Sequence, residues 1–137
     1  MKLTQLAIIG GALWFATRPQ QSRKDDLSTK LKLWADSIAL RNPQLTTSLY
    51  SDDAVLLATF DEQIAIGKDA ILAYFEKIFQ NDGLECILTY VHAQSQFNVV
   101  SGYYTFVVDG KEQKSRFSFV FGKDGKIVNH HSSLVPA

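Results

Sequence analysis

The chain is poor in the residues that mark specialised classes. It holds one cysteine, one methionine, three prolines and three histidines in 137 residues. A lone cysteine, Cys86, cannot close an internal disulfide and has no companion for a thiolate metal site, so it is expected as a small buried hydrophobe. Charge of one sign is also lacking. The 14 basic and 14 acidic residues cancel, and without a basic field to steer phosphates a nucleic-acid partner is excluded. There is no internal repeat and no low-complexity segment. A long hydrophobic run is missing too. The mostly apolar, uncharged N-terminal stretch, Leu3 to Thr17, reaches roughly 22 Å as a helix against a hydrocarbon core of ~30 Å. That length suits a signal-peptide core. Trp14-Phe15-Ala16 is a poor cleavage site, which leaves an uncleaved membrane anchor as the rival, and an N-terminal helix of a cytosolic protein as the third possibility. The expected layout is a signal peptide or anchor over 1–23 and one domain over 24–137. The expected location is periplasmic, otherwise extracytoplasmic, or membrane-anchored.

What is present is apolar patterning, with 46% hydrophobic residues in one domain-sized chain. Leu27, Leu31, Trp34 and Ile38 recur at helical spacing between Asp26 and Arg41. Asn42-Pro43 ends that helix and starts a short second one, with Asn42 as N-cap. Ala54 to Thr59 predicts a strand. Lys68 to Gln80 predicts a third helix with Ile71, Leu72, Phe75, Ile78 and Phe79 on one face. From Leu84 onward the chain turns to strands: 84–92, 96–108, 113–121 and 126–134. Asp109-Gly110 and Gly122 to Gly125 are hairpin turns. Helices first and antiparallel strands after give an α+β fold, with three helices in the curve of one antiparallel sheet.

The turns predict a register. Val108 opposite Lys111 sets Tyr103 opposite Arg116. Phe121 opposite Lys126 sets Arg116 opposite His131 and Ser118 opposite Asn129. Alternation then puts Tyr103, Thr105, Arg116, Ser118, Asn129, His131 and Ser133 on one face. Tyr104, Phe106, Phe117, Phe119, Phe121 and His130 fall on the other. Adjacent histidines on a strand point apart, so His130 and His131 cannot share one metal ion without a bulge, and zinc needs three or four protein ligands. A Ser-His-acid triad lacks a carboxylate in these strands. The remaining chemistry is a polar pocket in which hydroxyls orient a water and an imidazole relays a proton. The bland alternative is a satisfied inter-strand network or a dimer interface.

The ending Ile127-Val128-Asn129-His130-His131-Ser132-Ser133-Leu134-Val135-Pro136 resembles the His-His-His-Ser-Ser-x-x-Pro tail of proteins related to the calcium/calmodulin-dependent kinase II association domain. These belong to the NTF2-like, or SnoaL-like, cone-shaped superfamily, part of which is the iota class of carbonic anhydrases. Leu49 to Thr59, Ile71 to Phe75, Ser101 to Phe106 and Ser115 to Phe121 extend the similarity, which runs from Leu31 to Ala137. It implies an NTF2-like cone and, from the iota class, a lyase that hydrates carbon dioxide reversibly to bicarbonate, without a bound metal or cofactor. The other activity it implies is a non-catalytic association module that oligomerises or binds a small apolar ligand. By motif, the catalytic residues would be Thr59, Tyr74, His131 and Ser133. Tyr103, Arg116, Ser118, Asn129 and His130 would bind substrate or support the site. Asn129 stands where the family has its first histidine; it can orient a water but cannot shuttle a proton. A homodimer or larger assembly is expected.

Overall fold

The computed structural model describes residues 20–136, so the candidate signal or anchor segment, 1–23, lies outside the described residues except for 20–23. Three α-helices come first: α1 (Gln20–Leu40), α2 (Pro43–Ser48) and, after two strands, α3 (Lys68–Ile78). Six strands form one sheet: β1 (Tyr50–Leu57), β2 (Ile64–Ile66), β3 (Glu85–Gln94), β4 (Val99–Val108), β5 (Lys111–Phe121) and β6 (Ile127–Leu134), in the order β2-β1-β6-β5-β4-β3. No helix among the described residues is long and apolar enough to cross a membrane.

The helices form where the apolar spacing put them. Leu27, Leu31, Trp34, Ala35 and Ile38 turn inward from α1. Arg41 takes a left-handed φ of 51° and stops the helix. Asn42 caps α2 by accepting a hydrogen bond from the Leu45 amide at 3.1 Å, and Pro43 occupies the first turn, where no amide proton is needed. α1 starts at Gln20, six residues before the periodic stretch. Its first turns carry Arg23, Lys24, Asp25 and Asp26, a charged run with no apolar stripe to reveal it.

The sheet departs from the sequence reading in three ways. β1 starts at Tyr50, and β2, of three residues, is too short to show alternation. β1 runs parallel to β6, while every other neighbouring pair is antiparallel. No hairpin links β1 to β6, so turn chemistry could not set their direction. The third difference is register. β4 and β5 pair as expected, Tyr103 opposite Arg116. In the next hairpin Phe121 pairs with Ile127, not Lys126, and a bulge follows between Val120 and Phe121. Arg116 therefore faces Ser133, and Ser118 faces His131. The two one-residue shifts add to two. Because side chains repeat every two residues, partners change but faces do not.

The helices cover only one face of the sheet. On that concave face Trp34 stacks on Tyr104, with ring centres 5.6 Å apart, and meets Phe119 edge-on at 5.0 Å. Phe117, Phe119 and Phe121 continue the aromatic wall. Among the described residues, no helix lies over the opposite face.

Candidate functional site

The concave face carries one buried polar group that the aromatic wall would not by itself require. His130 is 2% exposed and lies flat on Phe119, ring centres 3.8 Å apart. Tyr50 on β1 places its hydroxyl 2.8 Å from His130 Nδ1. Tyr104 on β4 places its hydroxyl 3.1 Å from Nε2. Trp34 on α1 donates its indole N–H to the Tyr50 hydroxyl at 3.0 Å. Beside Tyr104 in the cavity lining, Ser132 is hydrogen-bonded to Thr59, two residues past β1. Four side chains from four elements thus form one continuous chain of hydrogen bonds, with the Thr59–Ser132 pair beside its end.

The chain ends in a cavity. Leu56, Phe75, Ile78 and Phe106 make its apolar wall; Thr59, Tyr74, Tyr104, His130 and Ser132 make its polar end. The interior space open to a water-sized molecule is about 10 Å³, at the lower edge of what one water requires. The segment after β1 lies over it: Phe60 packs edge-on against Phe106 at 5.1 Å, and its backbone is hydrogen-bonded to the Tyr74 hydroxyl. Wider, solvent-open hollows lie on either side of this segment, one lined by Phe60, Lys77 and Leu84 and the other by Asp61, Gln63 and Tyr74.

Burial sets the electrostatics. It pushes the Tyr50, Tyr74 and Tyr104 hydroxyls well above their ordinary pKa, so each keeps its proton. It pulls His130 down to about 3, with a smaller contribution from the neighbouring His131. The imidazole is therefore neutral at physiological pH. With both ring nitrogens held by tyrosines, His130 has none left for a metal. Among the described residues, no group of three His, Cys, Asp or Glu side chains is placed to hold one.

The structure brings together only part of the residue set that the family resemblance implied. Thr59 and Tyr74 line the cavity, and so does His130. His131 and Ser133 are on the opposite face, across the sheet from Thr59 and Tyr74; His131 is exposed there and Ser133 half-buried. Tyr103, Arg116, Ser118 and Asn129 share that outer face. Tyr103 there sits under the Lys114 ammonium, 5.0 Å from its ring centre. Ser132, Tyr104, Tyr50 and Trp34 are the members that sequence reasoning missed as site residues. The reason is specific. His-His-Ser-Ser contains the His-x-Ser spacing twice, once per face, so spacing cannot choose between them. The signal that could have chosen was the aromatic wall: the residues alternating with Phe119 and Tyr104 face the core, and a histidine among them must be satisfied by buried partners.

Comparison with known proteins agrees with this architecture. The model of the SnoaL-like domain matches residues 31–130, and the chain belongs to that NTF2-like family. A protein from Xanthomonas campestris described as a calcium/calmodulin dependent protein kinase II association domain is similar at 31% identity, over 81% of this chain and 86% of its own, with a TM-score of 0.71. An NTF2-like protein of unknown function from Cytophaga hutchinsonii shares the fold at 13% identity, over 80% and 90% of the two chains, TM-score 0.66. So does an epoxide hydrolase/cyclase-like enzyme of pyran ring formation in polyether salinomycin, at 10% identity, over 81% and 92%, TM-score 0.69. No curated protein matches the chain.

Proposed function

We propose that the cavity is a carbonic anhydrase site of the iota type, hydrating carbon dioxide reversibly without a bound metal. The observation that carries this reading is the cavity itself: water-sized, walled by apolar side chains, and closed at one end by the hydroxyls of Thr59, Tyr74, Tyr104 and Ser132. A space near 10 Å³ has no room for a ring system and is tight even for one water, so carbon dioxide with its attacking water requires the Phe60 segment over the cavity to shift outward. Carbon dioxide is apolar enough for the wall and carries oxygen acceptors for the hydroxyls.

Among the described residues no group lining the cavity is charged at neutral pH, so the chemistry has to avoid building charge in a dry site. A concerted transfer does this. The water oxygen attacks carbon while one water proton passes to a hydroxyl of the Thr59–Ser132 pair. That pair returns a proton to a carbon dioxide oxygen, giving neutral carbonic acid, which ionises on release. His130 takes no part as a base; it holds Tyr104 and Tyr50. Stopped-flow hydration with and without chelator tests the reading, and no rate above buffer sinks it. Thr59→Val and Ser132→Ala are each expected to lower the rate by about a hundredfold, the typical cost of one preorganised donor. His131→Ala and Asn129→His, on the outer face, should leave it unchanged. An exported or membrane-anchored location, proposed from Leu3 to Thr17, would place the reaction outside the cytoplasm.

The alternative reading is an association module, supported by the face the helices leave open. Ile64, Ile66, Ile87, Tyr90 and Tyr103 are all exposed there, the first two at one edge and the others toward the far edge. We propose that a second copy of the chain covers this face, in either functional reading. Sedimentation should then give at least a dimer at micromolar concentration, and Ile66→Lys should shift it toward monomer. A strict monomer in the unaltered protein counts against it.

A further inference from the structure

The buried hydrogen-bond chain has a direction, and one residue determines it. The indole N–H of Trp34 can donate but never accept. Its bond to Tyr50 occupies the hydroxyl oxygen as acceptor. The Tyr50 proton must then go elsewhere, and His130 Nδ1 at 2.8 Å is in reach as an acceptor. Nδ1 is therefore the bare nitrogen, and the neutral ring carries its proton on Nε2. That proton points to the Tyr104 oxygen. With its oxygen taken by that proton, Tyr104 keeps its own hydroxyl proton for the cavity it lines, where Ser132 and Thr59 are hydrogen-bonded to each other. The opposite tautomer would make Nδ1 a second donor to Tyr50 and strand the tyrosine proton in a fully buried site, which is the costly kind of polar defect.

We infer that Trp34 sets the sense of every proton along this chain, so that the cavity end presents hydrogen-bond donors and selects a small oxyanion or oxygen acceptor over an amine or cation. This rests on reading the cavity as a small-molecule site and adds the chemical class of its ligand. Two further features fit. His130 is held neutral by burial, so the ring keeps a single proton whose position can be fixed. Among the described residues no carboxylate lines the cavity, so none of them there would attract a cation. The directed chain is also a poor proton conduit. Outward transfer would leave a buried phenolate at Tyr50, and inward transfer meets donors already pointing out. Its role is to orient and hold, and Trp34, whose ring also lines the cavity, acts through its indole N–H as a positioning residue.

The test is the tautomer of His130, read by two-bond proton–nitrogen correlation on the full ¹⁵N-labelled protein at neutral pH. The expected result is a protonated Nε2 and a bare Nδ1; a protonated Nδ1 overturns the inference. Trp34→Phe should yield a mixture of tautomers. Should that variant fail to fold, Tyr50→Phe removes the next donor and should produce the same mixture; a retained single Nε2–H tautomer in a folded variant overturns the role given to Trp34. Titration with sodium bicarbonate should move the Thr59 and Ser132 resonances saturably, whereas ammonium chloride should not. Bicarbonate affinity in the variant that folds should fall about tenfold, the worth of one buried hydrogen bond. Ammonium binding more tightly than bicarbonate, or no saturable bicarbonate shift, overturns the assignment of ligand class. If tautomer and bicarbonate preference hold while no hydration rate appears, the anhydrase reading alone falls.

Discussion

Between pH 6.5 and pH 4 the folded domain is expected to lose about 3 kcal/mol of stability through His130 alone. The imidazole is held down to about 3 in the folded state by burial, with His131 adding to it, whereas an unfolded chain returns it to the ordinary value near 6.5. Between those two values the unfolded state binds a proton that the folded state refuses. Stability therefore rises with pH across the window. The contribution is complete above pH 6.5 and drains away as pH falls toward 3. Carboxylates titrate at the lower end of the same range, so the measurement is a difference. Urea denaturation of the unaltered protein and of His130→Phe should be followed from pH 7.5 to 4. At pH 7.5 the variant should be less stable by about 1–3 kcal/mol, because the Tyr50 and Tyr104 hydroxyls lose their partner in a buried site. As the pH drops that gap should close and then reverse. Parallel curves would mean that His130 is not held neutral by the fold.

The same residue shows where sequence reasoning reached its limit. Face assignment was legible because alternation is a local property: Tyr104, Phe117, Phe119 and His130 share a face whichever partner each one meets. Which face holds the cavity was not. A polar row at 129, 131 and 133 looks like chemistry, and an aromatic row looks like core. The cavity instead lies on the aromatic side, because that is the side the helices enclose, and only enclosure makes a few hydroxyls effective. The helices were legible from the stripes of α1 and α3, and the Asn42-Pro43 stop from its side-chain chemistry. The parallel contact of β1 with β6 was not, since it joins segments more than seventy residues apart with no turn to announce it. Thr59 and Tyr74 came from motif similarity, and their neighbours in space, Trp34 and Tyr104, carry no motif. What ties those two together is the stacking of one helix on the sheet.

Gly102→Ala should be among the most damaging single changes in the chain, costing about 3 kcal/mol or more. A Cβ added at Gly102 would lie 1.9 Å from the carbonyl oxygen of Tyr90 and 2.8 Å from its carbon, with the Phe117 ring at 3.1 Å. Backbone atoms in a paired strand cannot swing aside as a side-chain tip can. The close approach has a cause: β3 shifts register between Leu88 and Tyr90, and that bulge presses the strand against β4 and sharpens its bend. Gly102 is thus the position where the sheet's curvature is absorbed. Tyr104, two residues on and on the concave face, depends on that curve to meet His130. The substitution should lower the urea midpoint by about 1–3 M at the usual slope of about 1–3 kcal/mol per M. In whatever fraction remains folded it should disturb the His130 resonances, although Gly102 touches neither the histidine nor its tyrosines. Ser101→Ala, one residue away on the outer face, should stay within about 0.5 kcal/mol of the unaltered protein. If Gly102→Ala proves equally mild, the bulge is not held by the close contact, and the curvature around the cavity must come from the helices pressing on the sheet.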